Sequence, residues 1–191
     1  MRLSLRPADD RRADALLTSA RASELSYPEV GASLTPELPA GYHHEIRRVA
    51  VGHGEPGFQR GREALRTWKA HEAAGIRVMP PDAGPRAGTT VVLQLRTLGM
   101  YVFAACRIVA VVEEPRRFGV AYGTLTMHPA SGEELFLVEW ADDDAVSFVI
   151  RAFSVPRHPL ARLGAPMTHF IQKRTTDKYV AGVRSFVKGV P

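Results

Sequence analysis

The sequence predicts an α+β fold in which a curved antiparallel sheet of about six to seven strands wraps around a long C-terminal helix. Three observations lead to this prediction. After Gly75 the apolar residues alternate with a period of two, which is typical of strands with a buried face. Short turns join these stretches, and short turns connect antiparallel rather than parallel neighbours. The final segment then changes to the spacing of an amphipathic helix.

The domain organisation is expected to be simple. Residues 1–42 predict an N-terminal strand, helix and arm that pack on a main domain of residues 43–191, so the chain is expected to be a single domain overall. Five Pro and Gly residues within residues 26–42 exclude a long regular element there. This part is therefore expected to lie over the main domain.

Four elements are predicted in the first part of the chain. A short strand over residues 2–6 precedes a helix over residues 9–21, which begins with an aspartate cap. A second strand over residues 46–51 leads into a second helix over residues 58–74, with a glycine as its stop.

The turn between that strand and helix has the glycine spacing of a dinucleotide-binding loop, Gly52-x-Gly54-x-x-Gly57. A nucleotide-binding unit of that type needs further parallel strands with crossover helices, whereas short turns follow here. Pro56 also removes one backbone donor from the loop. We therefore interpret the motif as a strand-to-helix turn and expect no cofactor.

Six strand-like stretches follow, over residues 76–79, 89–97, 101–112, 118–126, 134–140 and 146–153. The third is apolar on both faces, so it needs cover on both sides of the sheet. The C-terminal helix supplies one cover. The N-terminal arm or a second subunit supplies the other.

The last segment is expected to be helical from after Pro156 to about Lys188, or from Pro166 if that proline forms the true first turn. Its two apolar stripes lie on nearly opposite sides, so the helix bends or passes from one surface to another. The members of the first stripe are Leu160, Leu163, Met167, Phe170 and Ile171. The resulting order of strand, helix, six strands and long helix is that of the helix-grip folds of the START and Bet v 1 type.

Three groups of segments resemble the DUF1990, or UPF0548, family of uncharacterised proteins. They are Tyr27–Gly31 with Gly52–Gly54, Phe58 and Ala64–Trp68; Tyr122–Leu125 with His128-Pro129 and Gly132–Phe136; and Ala152–Ser154 through Gln172 to Tyr179. The middle group is the most specific, while Val155 and Thr126-Met127 depart from the family pattern. The resemblance implies a helix-grip-like fold and no established activity.

Charge and cysteine content limit which binding partners and which cellular compartment the sequence is compatible with. The net charge is +5, and residues 156–191 alone carry seven basic residues against one acid. Such a helix can meet an anionic membrane surface or nucleic acid, but no nucleic-acid recognition motif accompanies it. No stretch predicts a membrane span or a signal peptide. The single cysteine, Cys106, is expected to be buried in a reducing, cytoplasmic protein, and a homodimer remains open.

The first candidate catalytic group is His128 with Glu133 and Glu134. A carboxylate beside an imidazole can act as an acid–base pair, with His128 and Glu134 as its members, or as half of a metal site. The alternative is a hairpin turn whose acids face solvent. We expect no metal, because the sequential pair His43-His44 diverges in a strand and no other spacing suits zinc.

A second candidate group consists of charged residues on otherwise apolar strand faces, namely Arg107, Glu139 and Arg151. If the three share the concave face, they can orient a polar headgroup, since charges are rarely buried unless they are paired or contact a ligand. Tyr122 and Thr124 would add hydroxyls, and Trp68 would form a wall. The alternative is a set of structural ion pairs.

From these observations we consider three functions, in decreasing order of support from the sequence. The first is a module that binds a small, largely apolar molecule in a cavity between the sheet and the C-terminal helix. The second is a metal-free enzyme, such as a cyclase, isomerase or hydrolase, that uses His128 and Glu134. The third is an interaction protein whose basic C-terminal helix meets an anionic partner.

Overall fold

The computed structural model describes residues 2–157 and 165–189, with the side chains of residues 3–157 and 174–189. The strands are β1 Arg2–Ser4, β2 His43–His53, β3 Arg77–Met79, β4 Thr90–Thr97, β5 Met100–Glu114, β6 Arg117–Thr124, β7 Ala130–Trp140 and β8 Ala145–Pro156. The helices are α1 Asp10–Arg21, α2 Gly54–Arg66, α3 Lys69–Ala73 and α4 Ala165–Lys188, with a 3-10 turn at Ala32–Leu34.

Within the described residues, the eight strands form one antiparallel sheet. Seven of them follow the order β2-β8-β7-β6-β5-β4-β3, and β1 pairs with the first part of β5, beyond the end of β6. All six strands predicted after Gly75 are present. The α+β prediction, with an antiparallel sheet against a C-terminal helix, is confirmed.

The long strand β5 is buried on both faces. Ala104, Cys106 and Ile108 belong to the core between the sheet and helices α2, α3 and α4, which we call the concave side. Phe103 and Ala105 belong to a second core beneath α1, on the convex side. The N-terminal arm, residues 2–42, therefore supplies the second cover that this strand requires.

The glycine motif serves packing between backbones. A Cβ atom built on Gly52 would lie 2.6 Å from Val187 Cγ1 in α4 and 3.4 Å from Gly57 Cα in α2. A side chain at this position would push α4 or the first turn of α2 away from β2. The spacing that resembles a nucleotide loop thus reflects a close contact among three elements.

Two predicted boundaries are wrong. The helix expected over residues 58–74 is broken at Trp68, whose φ of 58° places it in the left-handed region and separates α2 from α3. Strand β7 begins at Ala130 rather than at Glu134. Glu133 and Glu134 consequently lie within a strand, where adjacent side chains point to opposite faces, and not in a solvent-facing hairpin turn.

Helix α4 spans Ala165–Lys188 in the described part of the chain, with Pro166 as its second residue. Tyr179, Val183 and Val187 are buried in the concave core. The first predicted apolar stripe, from Leu160 to Ile171, lies outside the described side chains. In the described part of the chain, no helix combines the length and apolar character needed to cross a membrane.

Candidate functional site

A cavity of about 470 Å³ lies between the concave side of the sheet and α4. Apolar side chains of β4 and β5, such as Leu93, Leu95 and Val102, line one end of it. Tyr122, Glu134 and other polar groups of β6, β7 and α4 line the other end. The cavity therefore combines a mostly apolar wall with a polar patch, as small-molecule sites do.

The polar patch is built on strand register. Tyr122 pairs with Glu134, Glu134 with Ala152, and Ala152 with Glu45, across β6, β7, β8 and β2. Because directly opposite residues in antiparallel strands share a face, these four side chains form one row across the concave side. We call them the four-strand row. Its two carboxylates flank the single methyl group of Ala152.

A chain of hydrogen bonds leads from this row into the core. Tyr122 Oη donates to Glu134 Oε2 at 2.6 Å and lies 3.2 Å from His71 Nε2. Since the one hydroxyl hydrogen of Tyr122 goes to the carboxylate, His71 Nε2–H is the donor in the second contact. The rings of Phe136 and Tyr179 close around the imidazole at centroid distances of 5.2 and 5.1 Å.

Burial determines the protonation states of the residues that form this series of hydrogen bonds. Loss of hydration raises the pKa of Glu134 to about 7, opposed by the hydrogen bond from Tyr122 and reinforced by the charge of Glu45. Burial lowers the pKa of His71 to about 3, so its imidazole is neutral at physiological pH. Burial also raises the pKa of Tyr122 and Tyr179 well above the usual value, so both keep their hydroxyl hydrogens.

His128 lines the same cavity as Glu134 but has other hydrogen-bond partners. Its Nδ1 accepts from the backbone N–H of Ala130 at 3.0 Å, and burial lowers the pKa of His128 to about 4. Among the described contacts, Glu134 bonds to Tyr122 and not to His128. The predicted acid–base partners thus share a cavity without a direct hydrogen bond. Within the residues described, no three His, Cys, Asp or Glu side chains form a group that could hold a metal ion.

Thr124 and Trp68 lie beside the site in largely structural positions. The Thr124 hydroxyl reaches the cavity, but it accepts from Gly132 N–H at 2.9 Å and donates to the Gly132 carbonyl at 3.0 Å. Trp68 Nε1 donates to the Ala83 carbonyl at 2.7 Å, and its ring meets His71 edge-on at 4.9 Å. Trp68 therefore supports the imidazole from behind instead of forming the cavity wall.

Arg107 and Arg151 do not line the cavity. Arg107 Nη2 donates to the carbonyls of Arg21 and Ser23, at 3.1 and 3.0 Å, beside the end of α1. Arg151 donates to the carbonyls of Ser33 and Pro36, at 3.1 and 3.0 Å. Both guanidinium groups therefore lie on the convex side and hold the N-terminal arm.

Glu139 also lies on the convex side, where it pairs with Arg48 at 2.5 Å and Arg117 at 3.2 Å. The prediction that the three charged residues share the concave face is thus incorrect. Alternation along a strand fixes which residues share a face, but this sheet is covered on both sides, so an apolar neighbourhood does not identify the cavity side.

Glu133 also belongs to the convex side. Its carboxylate accepts from Tyr27 Oη at 2.5 Å and from the backbone N–H groups of Gly31 and Ser33, at 2.8 and 2.9 Å. Burial and this carboxylate raise the pKa of Tyr27 above its usual range. Glu133 is therefore an anchor for the arm.

Sequence reasoning missed three residues of the site, namely His71, Tyr179 and Glu45. His71 lies in α3, beyond the break at Trp68, whereas it was expected inside one continuous helix. Tyr179 has no predicted role beyond its place in the family resemblance, and Glu45 lies before the predicted start of β2. The available signal was the alternation of polar residues at His43, Glu45 and Arg47, which extends that strand.

Two solved structures resemble this fold. The hypothetical protein jhp0584 from Helicobacter pylori aligns with a TM-score of 0.56 at 13% sequence identity, over 86% of this chain and 96% of that one. Ara h 8.0201 aligns with a TM-score of 0.53 at 13% identity, over 78% of this chain and 99% of that one. At this identity the likeness concerns the fold alone, which is the predicted helix-grip arrangement.

Sequence comparisons identify relatives over much of the chain. A UPF0548 protein of Deinococcus radiodurans is 33% identical over 185 residues, which cover 92% of this chain and 93% of the relative. A UPF0548 protein of Arabidopsis thaliana is 31% identical over 132 residues, which cover 66% of this chain and 64% of the relative. The sequence model of a domain of unknown function, DUF1990, matches residues 26–182. The chain therefore belongs to the DUF1990 family, as its motifs indicated.

Proposed function

We propose that this protein binds a small, largely apolar molecule in the cavity between the sheet and α4, with a polar group of that molecule at Glu134. The main observation behind this proposal is the cavity of about 470 Å³, which has apolar walls and a polar row at one end. Small-molecule sites range from about 300 to 1,000 Å³ and combine an apolar lining with a few placed polar groups.

The energetics of Glu134 support this proposal. A carboxylate whose burial raises its pKa to about 7 costs folding free energy whenever it is ionised. Glu133 offsets such a cost by accepting three hydrogen bonds from the arm. Among the described contacts, Glu134 accepts one, from Tyr122, and none of them holds a loop or a helix end in place. Strongly perturbed groups of this kind cluster at functional sites.

Native mass spectrometry of the protein as purified from cells, beside a denatured control, tests the proposal. We expect an additional mass that disappears on denaturation. The Ala152→Leu variant places extra volume between the two carboxylates and should lose that mass. Ala50→Leu is the matched control, because Ala50 lies exposed on β2 of the same sheet. A bare mass that persists after incubation with a lipid and metabolite extract would contradict ligand binding.

A second candidate function is metal-free acid–base catalysis in the same cavity. A carboxyl group whose pKa is about 7 can both give and take a proton near neutral pH. If the cavity catalyses a reaction, turnover should change near pH 7 and should fall in Glu134→Gln. Turnover that survives Glu134→Gln would remove this role, and turnover that survives His128→Ala would exclude His128 as the partner.

A further inference from the structure

Resting on the function above, we propose that the bound molecule carries an amine, and that its ammonium group lies over Ala152 between the carboxylates of Glu134 and Glu45. The apolar remainder of the molecule then extends toward β4 and β5. A carboxylic acid or a phosphate is the wrong class of ligand for this cavity.

The first support is the geometry of the four-strand row. Glu134 and Glu45 lie on the two strands that flank β8, and both are in register with Ala152. Adjacent strands are about 4.8 Å apart, so the two Cα atoms are separated by about 10 Å. The methyl group of Ala152 fills little of the space between the two side chains. A small cation there is within reach of both carboxylates.

The second support is the balance of charge around the row. Among the described residues that line the cavity there is no Lys or Arg. The guanidinium of Arg47 is shared between Glu45 and Asp177, each at 3.0 Å. Glu45 therefore shares its cation with Asp177, whereas Glu134 has no cationic partner among the described contacts. An anionic headgroup would add a further like charge beside these carboxylates, which is unfavourable.

The third support is a surplus of hydrogen-bond acceptors. Tyr122 uses its hydrogen on Glu134 Oε2, and no described contact uses Oε1. Thr176, which is only 6% exposed, also lines the cavity and can accept a hydrogen bond through its hydroxyl oxygen. An ammonium group brings three donors and no acceptor, so it matches these groups. The ring of Tyr179 adds an aromatic face that attracts cations.

Binding of an amine is expected to depend on pH through Glu134. The titratable groups around Glu134 are Glu45 and His43 on β2, Tyr122 on β6, Cys106 on β5, His71 on α3, Tyr179 on α4, and His128 before β7. Burial keeps His71 and His128 neutral near pH 7 and raises the pKa of Cys106 and both tyrosines. Ionisation of Glu134 as the pH rises therefore strengthens amine binding and weakens acid binding.

Isothermal titration calorimetry with three matched probes, phenylbutylamine, phenylbutanol and phenylbutanoic acid, tests the class of ligand. We expect the amine to bind at least about ten-fold more tightly than the acid at about pH 8, and this preference to shrink at about pH 6. Glu134→Gln should remove most of the preference. Glu29→Gln is the matched control, because Glu29 accepts from Tyr42 at 2.7 Å in an equivalent pair outside the cavity.

The outcomes separate the two proposals. Equal or tighter binding of the acid would overturn the amine while leaving an apolar ligand-binding cavity. No binding of any probe, together with a bare native mass, would overturn both. The comparison of probes on the unaltered protein decides the class of ligand even if Glu134→Gln fails to fold.

Discussion

Glu133 and Glu134 are neighbours in one strand, yet they serve opposite sides of the sheet. Glu133 is 2% exposed and accepts three hydrogen bonds from the N-terminal arm. Glu134 faces the cavity and accepts one hydrogen bond from the described residues, that of Tyr122. The comparison teaches that burial of a charged group does not by itself identify a site. What distinguishes Glu134 is that its burial is not matched by bonds that the fold requires.

The largest expected effect is that of Glu133→Ala. The change leaves Tyr27 Oη and two backbone N–H groups without their acceptor beneath the arm. Loss of hydrogen bonds to a buried charge should lower the free energy of unfolding by about 3–5 kcal/mol. Urea denaturation followed by circular dichroism measures it. A loss below about 1 kcal/mol would show that the arm is held mainly by apolar contacts.

Glu134→Gln should raise the free energy of unfolding instead of lowering it, and the size of this effect should depend on pH. The pKa of Glu134 is raised to about 7 in the folded protein, so wild-type stability falls as the pH rises from about 4.5 toward 7. The variant should equal the wild type at about pH 5 and exceed it by about 2 kcal/mol at about pH 8. Unfolding curves at both pH values decide this. A variant that is less stable at both would place Glu134 among the residues that hold the fold.

Arg151→Met removes the donors to the carbonyls of Ser33, Thr35 and Pro36. We expect a loss of about 1.5–3 kcal/mol, together with faster amide hydrogen exchange in the arm. Binding of a cavity ligand should stay unchanged, because Arg151 lies on the convex side. A selective loss of ligand affinity with unchanged exchange in the arm would restore the headgroup role that the sequence suggested.

The smallest effect is expected for Tyr122→Phe. The change removes two hydrogen bonds, the one to Glu134 and the one from His71 Nε2–H, and should lower the free energy of unfolding by about 1–2 kcal/mol. Because the bond from Tyr122 lowers the pKa of Glu134, the variant should raise that pKa further. Carbon NMR of the Glu134 carboxyl group through a pH titration measures the change. Tyr42→Phe, which removes the equivalent bond to Glu29, should leave the Glu134 titration where it was.

The architecture could be predicted from the sequence because it depends on local periodicity. Alternation and short turns predicted the six strands after Gly75, and helical spacing predicted α4. The break at Trp68 was not predicted, because it depends on a left-handed backbone and on a hydrogen bond to Ala83, fifteen residues away. Local patterns contain no information about such a contact.

The residues of the site could be predicted only in part from the sequence, for a related reason. Tyr122 and Glu134 were chosen separately, and strand register brings them together. Arg107 and Arg151 were assigned to the wrong side, because periodicity gives relative orientation and not the absolute side of a doubly covered sheet. His71 and Tyr179 reach the site from two different helices, so their meeting depends on tertiary packing.

The N-terminal arm is docked to a large extent through its main-chain atoms. Arg107 and Arg151 bind its carbonyl groups, and Glu133 binds two of its N–H groups. Because these hydrogen bonds go to main-chain groups, they do not depend on which side chain the arm residue carries. The exception is proline, which has no N–H to donate. The arm residues that supply these main-chain groups can therefore change without loss of the contacts, whereas the buried side chains of α1 and the hydroxyl of Tyr27 are fixed by packing and by Glu133.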